Sequence, residues 1–494
     1  MTHSKRGKSL AGFAAVLLVA CVTMVLGCRG SSYPGGSVLP PASPVNAFVK
    51  LAQESGFAVR EGQLKYIDVF ALTDKGDLPN CFGNNANNPY LSYSFEAPFP
   101  GQVLPEGALL TETQFQLRED EALVLFGKTP PPMRYYGYRS YLYSRYYDPL
   151  TGEPQIPGTS GAGYARVFAT LGDTINLNTV KAGSTYRSDI IVITTADSAV
   201  DQRIRILAQL AGFPSSIINT DIIPRDVTHM GLGPQKDIFC FLHRTALFDN
   251  DDECLEFVKN PGGRLFRLTP ASPGASESFP MPALRPQGTG VREGDDQSLR
   301  DALDDLEQKI VAAYPGLKAE PLQVQPISRD FLMYEAIANQ HNALGDNRDA
   351  TYLRVVTPFK LALDDDEFVI VYGVNHARTN KASYCSVTVR GDQYLNGVGG
   401  PDSRSYEGTA QYYSPLNARA PDLYAYKIAR RAAGHPNCFE VPFDALKPND
   451  GSSSTINLAS SMKLVFRAYL EPATLVGPLP EEILMDRAIR FSRN

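Results

Sequence analysis

Short apolar runs that alternate with period two and stop at Gly, Pro, Asn or Asp set what this chain can fold into. DEALVLFG at 120–127 follows FQLRE, and DEFVIVYG at 366–373 follows LALDD. Such runs are read as antiparallel strands with one face on a core. With 40 Gly and 37 Pro among 494 residues, the composition agrees with a loop-rich, mainly β architecture.

The runs recur in the same order. DIFCF at 237–241 matches DLYAY at 422–426, and a Cys-centred segment follows each, around Cys254 and Cys438. RLFRL around Phe266 and Arg267 matches LVFRAYL around Phe466 and Arg467. This order predicts a duplication: two tandem, related β-sandwich or jelly-roll domains at 47–275 and 297–494. A Pro/Gly/Ser linker at 276–296 joins them. The first copy is longer between its blocks, which predicts an α/β insertion at about 140–236.

Three helices are legible. One runs from Ala47 to Ser55 and closes at Gly56. A second starts near Asp197 and carries Val200, Ile204, Leu207 and Ala211 on one side. A third follows Ser298, with Leu299, Leu303, Leu306 and Ile310 at helical spacing and Asp301 where a capping box carries Glu.

The N-terminus gives an address. A cationic start is followed by an apolar run from Leu10 to Leu26, then Gly27 and Cys28, which is a signal-peptide pattern over 1–27; the other reading is an uncleaved anchor helix, since the run is just long enough to span a bilayer. The ending VLGC resembles the lipobox of bacterial lipoprotein precursors, although Leu26 stands where a small residue is commoner. That resemblance implies a lipidated, palmitate-bearing Cys28, a flexible tether over 28–46 and attachment of the exported body to a membrane. Arg29 is not the Asp that usually retains such proteins at the inner membrane, so the resemblance implies an outer-membrane position in a Gram-negative envelope. Beyond that point, DEALVLFG with TPPPMRYYGYRSYLY resembles bacterial envelope proteins of paired β-rich domains of unknown function. It implies no activity and no functional residue.

Export permits disulfides. The parallel layout suggests Cys240 with Cys254 and Cys385 with Cys438, leaving Cys81, but PNCF occurs at both Cys81 and Cys438, so the odd thiol can equally belong elsewhere. The formal charge is −6, and setting aside the first 27 residues leaves 44 basic against 53 acidic side chains. No basic excess exists to displace counterions from duplex nucleic acid, so that partner is not expected.

For chemistry, the loops GDNRDA and VNHARTNK are expected at one end of a strand meander. They would gather His376, Asp346, Asp349, Arg348 and Arg378 as a catalytic set, with Asn375 and Lys381 beside them for binding. The other reading of these segments is two ordinary polar turns. The segment RYYGYRSYLYSRYYD holds seven Tyr between Tyr135 and Tyr147. Tyr141 and Tyr143 beside Arg139 and Arg145 form a face on which sugar rings can stack, or else pack as ordinary strand residues. DNDDE at 249–253 lacks the Gly and the terminal Glu of a calcium loop. PGTSGAG misses the nucleophile elbow, and SSMK at 460–463 leads into a strand instead of opening a helix. Neither a phosphate-binding loop nor a dinucleotide fingerprint nor a sequence-local metal pair is present, so no metal and no cofactor is expected. The expected function is a lipid-anchored envelope module that binds a ligand, a glycan or a protein and is not an enzyme. The alternative is an extracytoplasmic hydrolase or lyase with His376 as base and Arg348 or Arg378 steadying negative charge.

Overall fold

In the computed structural model, the described residues are 43–86, 88–96, 112–152, 162–272, 276–361, 367–444 and 452–493. The signal segment, Cys28, the tether up to residue 42 and the acidic turn at 364–366 lie outside them. The fold is mainly β.

Eleven strands build the first half: β1 (Phe57–Ile67), β2 (Tyr90–Ser94), β3 (Gln114–Phe115), β4 (Ala122–Lys128), β5 (Met133–Tyr147), β6 (Gly163–Thr170), β7 (Ile175–Asn176), β8 (Asp189–Thr195), β9 (Ile218–Ile222), β10 (Ile238–Phe248) and β11 (Arg264–Pro270). They form one curled sheet in the order β6-β5-β10-β2-β1-β11-β4-β8-β9, with β3 on β10 and β7 on β5. The curl turns on β1. Its first part pairs with β11 from Phe57 to Gly62, and its second pairs with β2 from Gln63 to Ile67. A Cβ at Gly62 would meet the Phe95 ring at 2.5 Å and the Ser94 carbonyl at 2.6 Å, so the bend requires glycine there.

Because the sheet curls, its two arms enclose a core of Tyr93, Leu123, Leu125, Val192 and Phe241. The outer side of the β11-β4-β8 arm is covered by helices α1 (Pro44–Glu54) and α3 (Ser198–Leu210), through Phe48, Ala52, Val200, Ile204 and Leu207. Helix α2 (Val69–Asp74) follows β1, and α4 (Asp251–Lys259) follows β10. Helix α3 starts where expected, capped by Asp197, which accepts from the Val200 amide at 2.9 Å.

The second half contains α5 (Gln297–Ala312), β12 (Leu317–Leu322), β13 (Val324–Pro326), α6 (Met333–Ala338), β14 (Ala350–Val355), β15 (Phe368–Val374), β16 (Tyr384–Gly391), β17 (Gly397–Gly399), β18 (Leu423–Ala429), β19 (Cys438–Glu440), β20 (Met462–Tyr469) and β21 (Arg487–Arg493). They make two five-stranded sheets, β12-β21-β15-β18-β19 and β13-β14-β20-β16-β17. Both sheets contribute to one core: Val369, Val371 and Ile428 from the first, Leu353, Val387 and Phe466 from the second. The far side of the first sheet carries α5 through Leu299, Leu303, Leu306 and Ile310. That spacing was legible, but the cap is Asp296, which accepts from the Leu299 amide, and Asp301 receives only a bond from Gln297.

Several expectations are corrected. The matched blocks do not occupy equivalent positions. β4 and β11 are neighbours in one sheet, whereas their matched counterparts β15 and β20 lie in different sheets. β10 lies away from β4, while β18 pairs directly with β15. The likeness was shared strand vocabulary. The stretch at about 140–236 is no appendage, because β8 pairs with β4 through seven residues and extends the main sheet. The linker is pinned: the Arg285 amide donates to Asp173, and the Thr289 and Gly290 amides donate to Glu482. DNDDE opens α4, capped by Asn250.

The five cysteines in the described residues are all unpaired. Cys240 lies on the outer face of the first sheet and Cys254 packs on its inner core. Cys385 belongs to the core between the two later sheets, and Cys438 packs on the α5 side. A sheet therefore separates each expected pair, which disulfide geometry cannot bridge. Among the described residues no helix is long and apolar enough to cross a membrane.

Candidate functional site

The residues expected to gather around His376 are instead held by different partners. His376 is 1% exposed; its Nδ1 lies 3.0 Å from both Glu293 oxygens, and its Nε2 lies 3.9 Å from Asp486. Burial works against its charge, but Glu293 and Asp486 together push the imidazole up to about 10. The ring is thus a buried cation that ties the linker to the second half. Lys381 is held by Glu471 at 2.8 Å and Glu482 at 2.7 Å. Arg378 faces Asp422 at 3.4 Å, and Asn375 accepts from the Cys385 thiol.

The GDNRDA loop turns toward the first half. Arg348 binds Asp173 at 2.6 Å. Asp349 accepts from the Tyr135 hydroxyl and the Asn176 amide, both at 3.0 Å, and its other oxygen has no partner. Burial pushes the Asp349 carboxyl up to about 7, against those two hydrogen bonds. Asp346 accepts from the Thr170 and Met333 amides and is pushed up to about 6, again by burial.

The tyrosine-rich strand β5 is not an open surface. Tyr141, Tyr143, Arg139 and Arg145 are all buried. Arg139 pairs with Asp221 at 2.8 Å and Arg145 with Asp237 at 2.6 Å. Of the four, only Tyr143 lines the cleft described below.

A different site emerges where the two halves meet. Ser43–Asn494 form one unit. The outer face of β5 and β10 packs on the outer face of β14, β20 and β16 through Tyr135, Ala246, Tyr384 and Tyr469. The Tyr384 and Tyr469 rings stack with centroids 4.6 Å apart. Beyond this contact the faces diverge and leave a cleft of about 220 Å³.

Its two walls differ in chemistry. The first half supplies an apolar and aromatic wall with Phe82, Tyr143, Phe168, Cys240 and Leu242. The second supplies guanidiniums. Strand pairing sets Tyr352 opposite Arg467 and Arg467 opposite Ser386, then Arg354 opposite Val465 and Val465 opposite Thr388, then Lys463 opposite Arg390. Period-two alternation therefore puts Arg354, Arg390 and Arg467 on the cleft face, while Leu353, Val387, Val389 and Phe466 go to the core. At the deep end Arg244 crosses from the first half, donating to the Tyr141 hydroxyl at 3.0 Å and to the Gly345 carbonyl.

None of these four arginines makes an ion pair within 4.0 Å among the described residues. Arg467 donates to Thr388 Oγ1 at 2.7 Å and to the Gly83 carbonyl at 2.9 Å. The Nε atoms of Arg354 and Arg390 are buried without partners. Burial first, and then the charges of Arg467 and Arg354, hold Arg390 below the ordinary guanidinium range, with Asp392 opposing. Gly83, at φ +65°, lets the chain lie against Arg390, whose Nη1 would sit 3.3 Å from a Cβ there. Such a cationic wall facing an apolar one can hold an anion with an apolar part.

Sequence reasoning missed these arginines as a set because they lie 110, 36 and 77 positions apart along the chain. The available signal was a cation inside a strand pattern, in TYLRV, VTVRG and LVFRAY.

No family model matches the chain, and no curated protein matches it. A solved structure described as an uncharacterized protein from Burkholderia cenocepacia is similar at a TM-score of 0.36, with 9% identity over 91% of this chain and 88% of that one.

The buried Asp349 carboxyl gives a pH test. In the folded chain it keeps its proton to about pH 7, whereas in the unfolded chain it loses it near pH 4. The folded state holds the extra proton between these values, so stability falls as pH rises through that window. Urea unfolding at pH 5 and pH 8 is expected to show this fall, and Asp349→Asn is expected to make it smaller, leaving the parts due to Asp346 and His376. An unchanged slope in the variant shows that Asp349 is already ionised in the fold.

Proposed function

We propose that this chain is a lipid-anchored envelope protein that binds a small anionic molecule in the cleft between its two β bodies. The observation that carries this reading is the convergence of Arg244, Arg354, Arg390 and Arg467 on one cleft without a paired carboxylate among the described residues. Burying a cation without a counter-charge is unfavourable, and an arrangement that persists in spite of this is characteristic of sites that meet an anion. We read the bodies as tandem sandwich-like units, each contributing one wall. Asp346, the carboxylate in the lining, is occupied by two backbone amides, so it leaves the cationic excess in place.

The cleft of about 220 Å³ and its arginines favour a small anion over a glycan. The placement of His376 between two carboxylates, outside the cleft lining, gives the hydrolase or lyase reading no support. Envelope placement rests on the VLGC segment and the Ser/Pro/Gly tether after Cys28.

Two measurements test the two parts. In anion-free buffer, Arg390→Gln removes an unsatisfied charge, so it is expected to raise Tm by about 1–3 °C; a lowered Tm shows that the guanidinium serves packing and removes the basis of the site. In cells given labelled palmitate the protein is expected to take up label and Cys28→Ser to abolish that uptake, and an unlabelled parent refutes the lipid anchor.

A further inference from the structure

The cleft is specific enough in shape and charge to narrow its ligand, and this step rests on the anion-binding reading above. We propose that the ligand is a phosphate monoester of a compact apolar or aromatic group.

The number of donors points to phosphate. Arg354, Arg467 and Arg390 come from three adjacent strands and surround the Val465 side of the wall. A carboxylate has two oxygens and is satisfied by one bidentate guanidinium. A phosphate monoester has three terminal oxygens and carries a charge of about −1.5 to −2 at neutral pH, which engages several guanidiniums at once. The cleft has charge for it: four arginines line it against one carboxylate, Asp346. Asp392, which acts on Arg390, accepts from Ser461 at 2.6 Å.

The opposite wall points to the other end of the molecule. Phe82 and Phe168 meet edge to face at 5.2 Å, and Tyr143 stands 5.4 Å from Phe168. Leu242 and Cys240 extend this surface. Inorganic phosphate leaves such a wall unused. Size limits the apolar part: a cavity of about 150 Å³ accepts benzene, so a cleft near 220 Å³ takes one ring with its acid group, roughly ten heavy atoms.

Calorimetric titration of the full chain with phenyl phosphate, inorganic phosphate and benzoate tests this. Phenyl phosphate is expected to bind at least tenfold more tightly than either of the others. Arg354→Gln and Arg390→Gln are each expected to weaken it tenfold or more while the variants melt as cooperatively as the parent. Equal affinity for phenyl phosphate and inorganic phosphate overturns the amphipathic ligand, and tighter binding of benzoate overturns the phosphate; either result leaves an anion site standing. Absence of binding by all three, or binding that neither arginine substitution alters, overturns the anion site itself.

Discussion

Cleft guanidinium groups that meet no carboxylate among the described residues are the constraint around which this structure is arranged. A charged group in a partly dry cleft is tolerated when hydrogen bonds or a ligand satisfy it. Arg467 is half answered, by Thr388 and the Gly83 carbonyl, and Arg244 by Tyr141 and Gly345. Arg354 and Arg390 keep buried Nε atoms without partners. Elsewhere the buried arginines have a carboxylate partner: Arg139 has Asp221, Arg145 has Asp237 and Arg267 has Glu121. That contrast within one molecule separates the cleft from the structural ion pairs.

The layers around the cleft follow from strand alternation. On β14, β16 and β20 one set of alternate residues fills the core shared by the second half's sheets, and the other set carries the cations and tyrosines. The curled sheet of the first half does the same with β5 and β10, placing Leu142, Phe239 and Phe241 inside and Tyr141, Cys240 and Leu242 outside. The buried set of Tyr135, Asn176, Asn347 and Asp349 then locks the two bodies together beside the cleft. Such polar networks favour one geometry, because each alternative leaves a buried group unpaired. The cleft walls are therefore positioned before any ligand arrives, which lowers the cost of ordering them on binding.

What could be read from the sequence was what depends on neighbours along the chain. Helix α3, with its Asp197 cap and apolar stripe, needs only thirteen residues of context, and the mainly β character follows from run length and punctuation. The wrong expectations all required knowing which layer a side chain faces. Cys240 and Cys254 are close in sequence yet on opposite sides of a sheet. Tyr141 on a long strand looks like a surface residue until a second sheet is laid over it. Phe266–Arg267 and Phe466–Arg467 share their letters, but one arginine pairs with Glu121 and the other lines the cleft. His376 drew interest as a titratable loop residue, and its neutralising partner Glu293 sits in the segment that composition marks as a linker.

The most direct measurement is an anomalous difference map from crystals of the full chain soaked in selenate, a phosphate-like anion with a heavy scatterer. The strongest peak is predicted between Arg354, Arg390 and Arg467, within hydrogen-bond reach of at least two of the guanidiniums. An empty cleft, with these side chains turned outward or each paired to a carboxylate, would contradict the anion site.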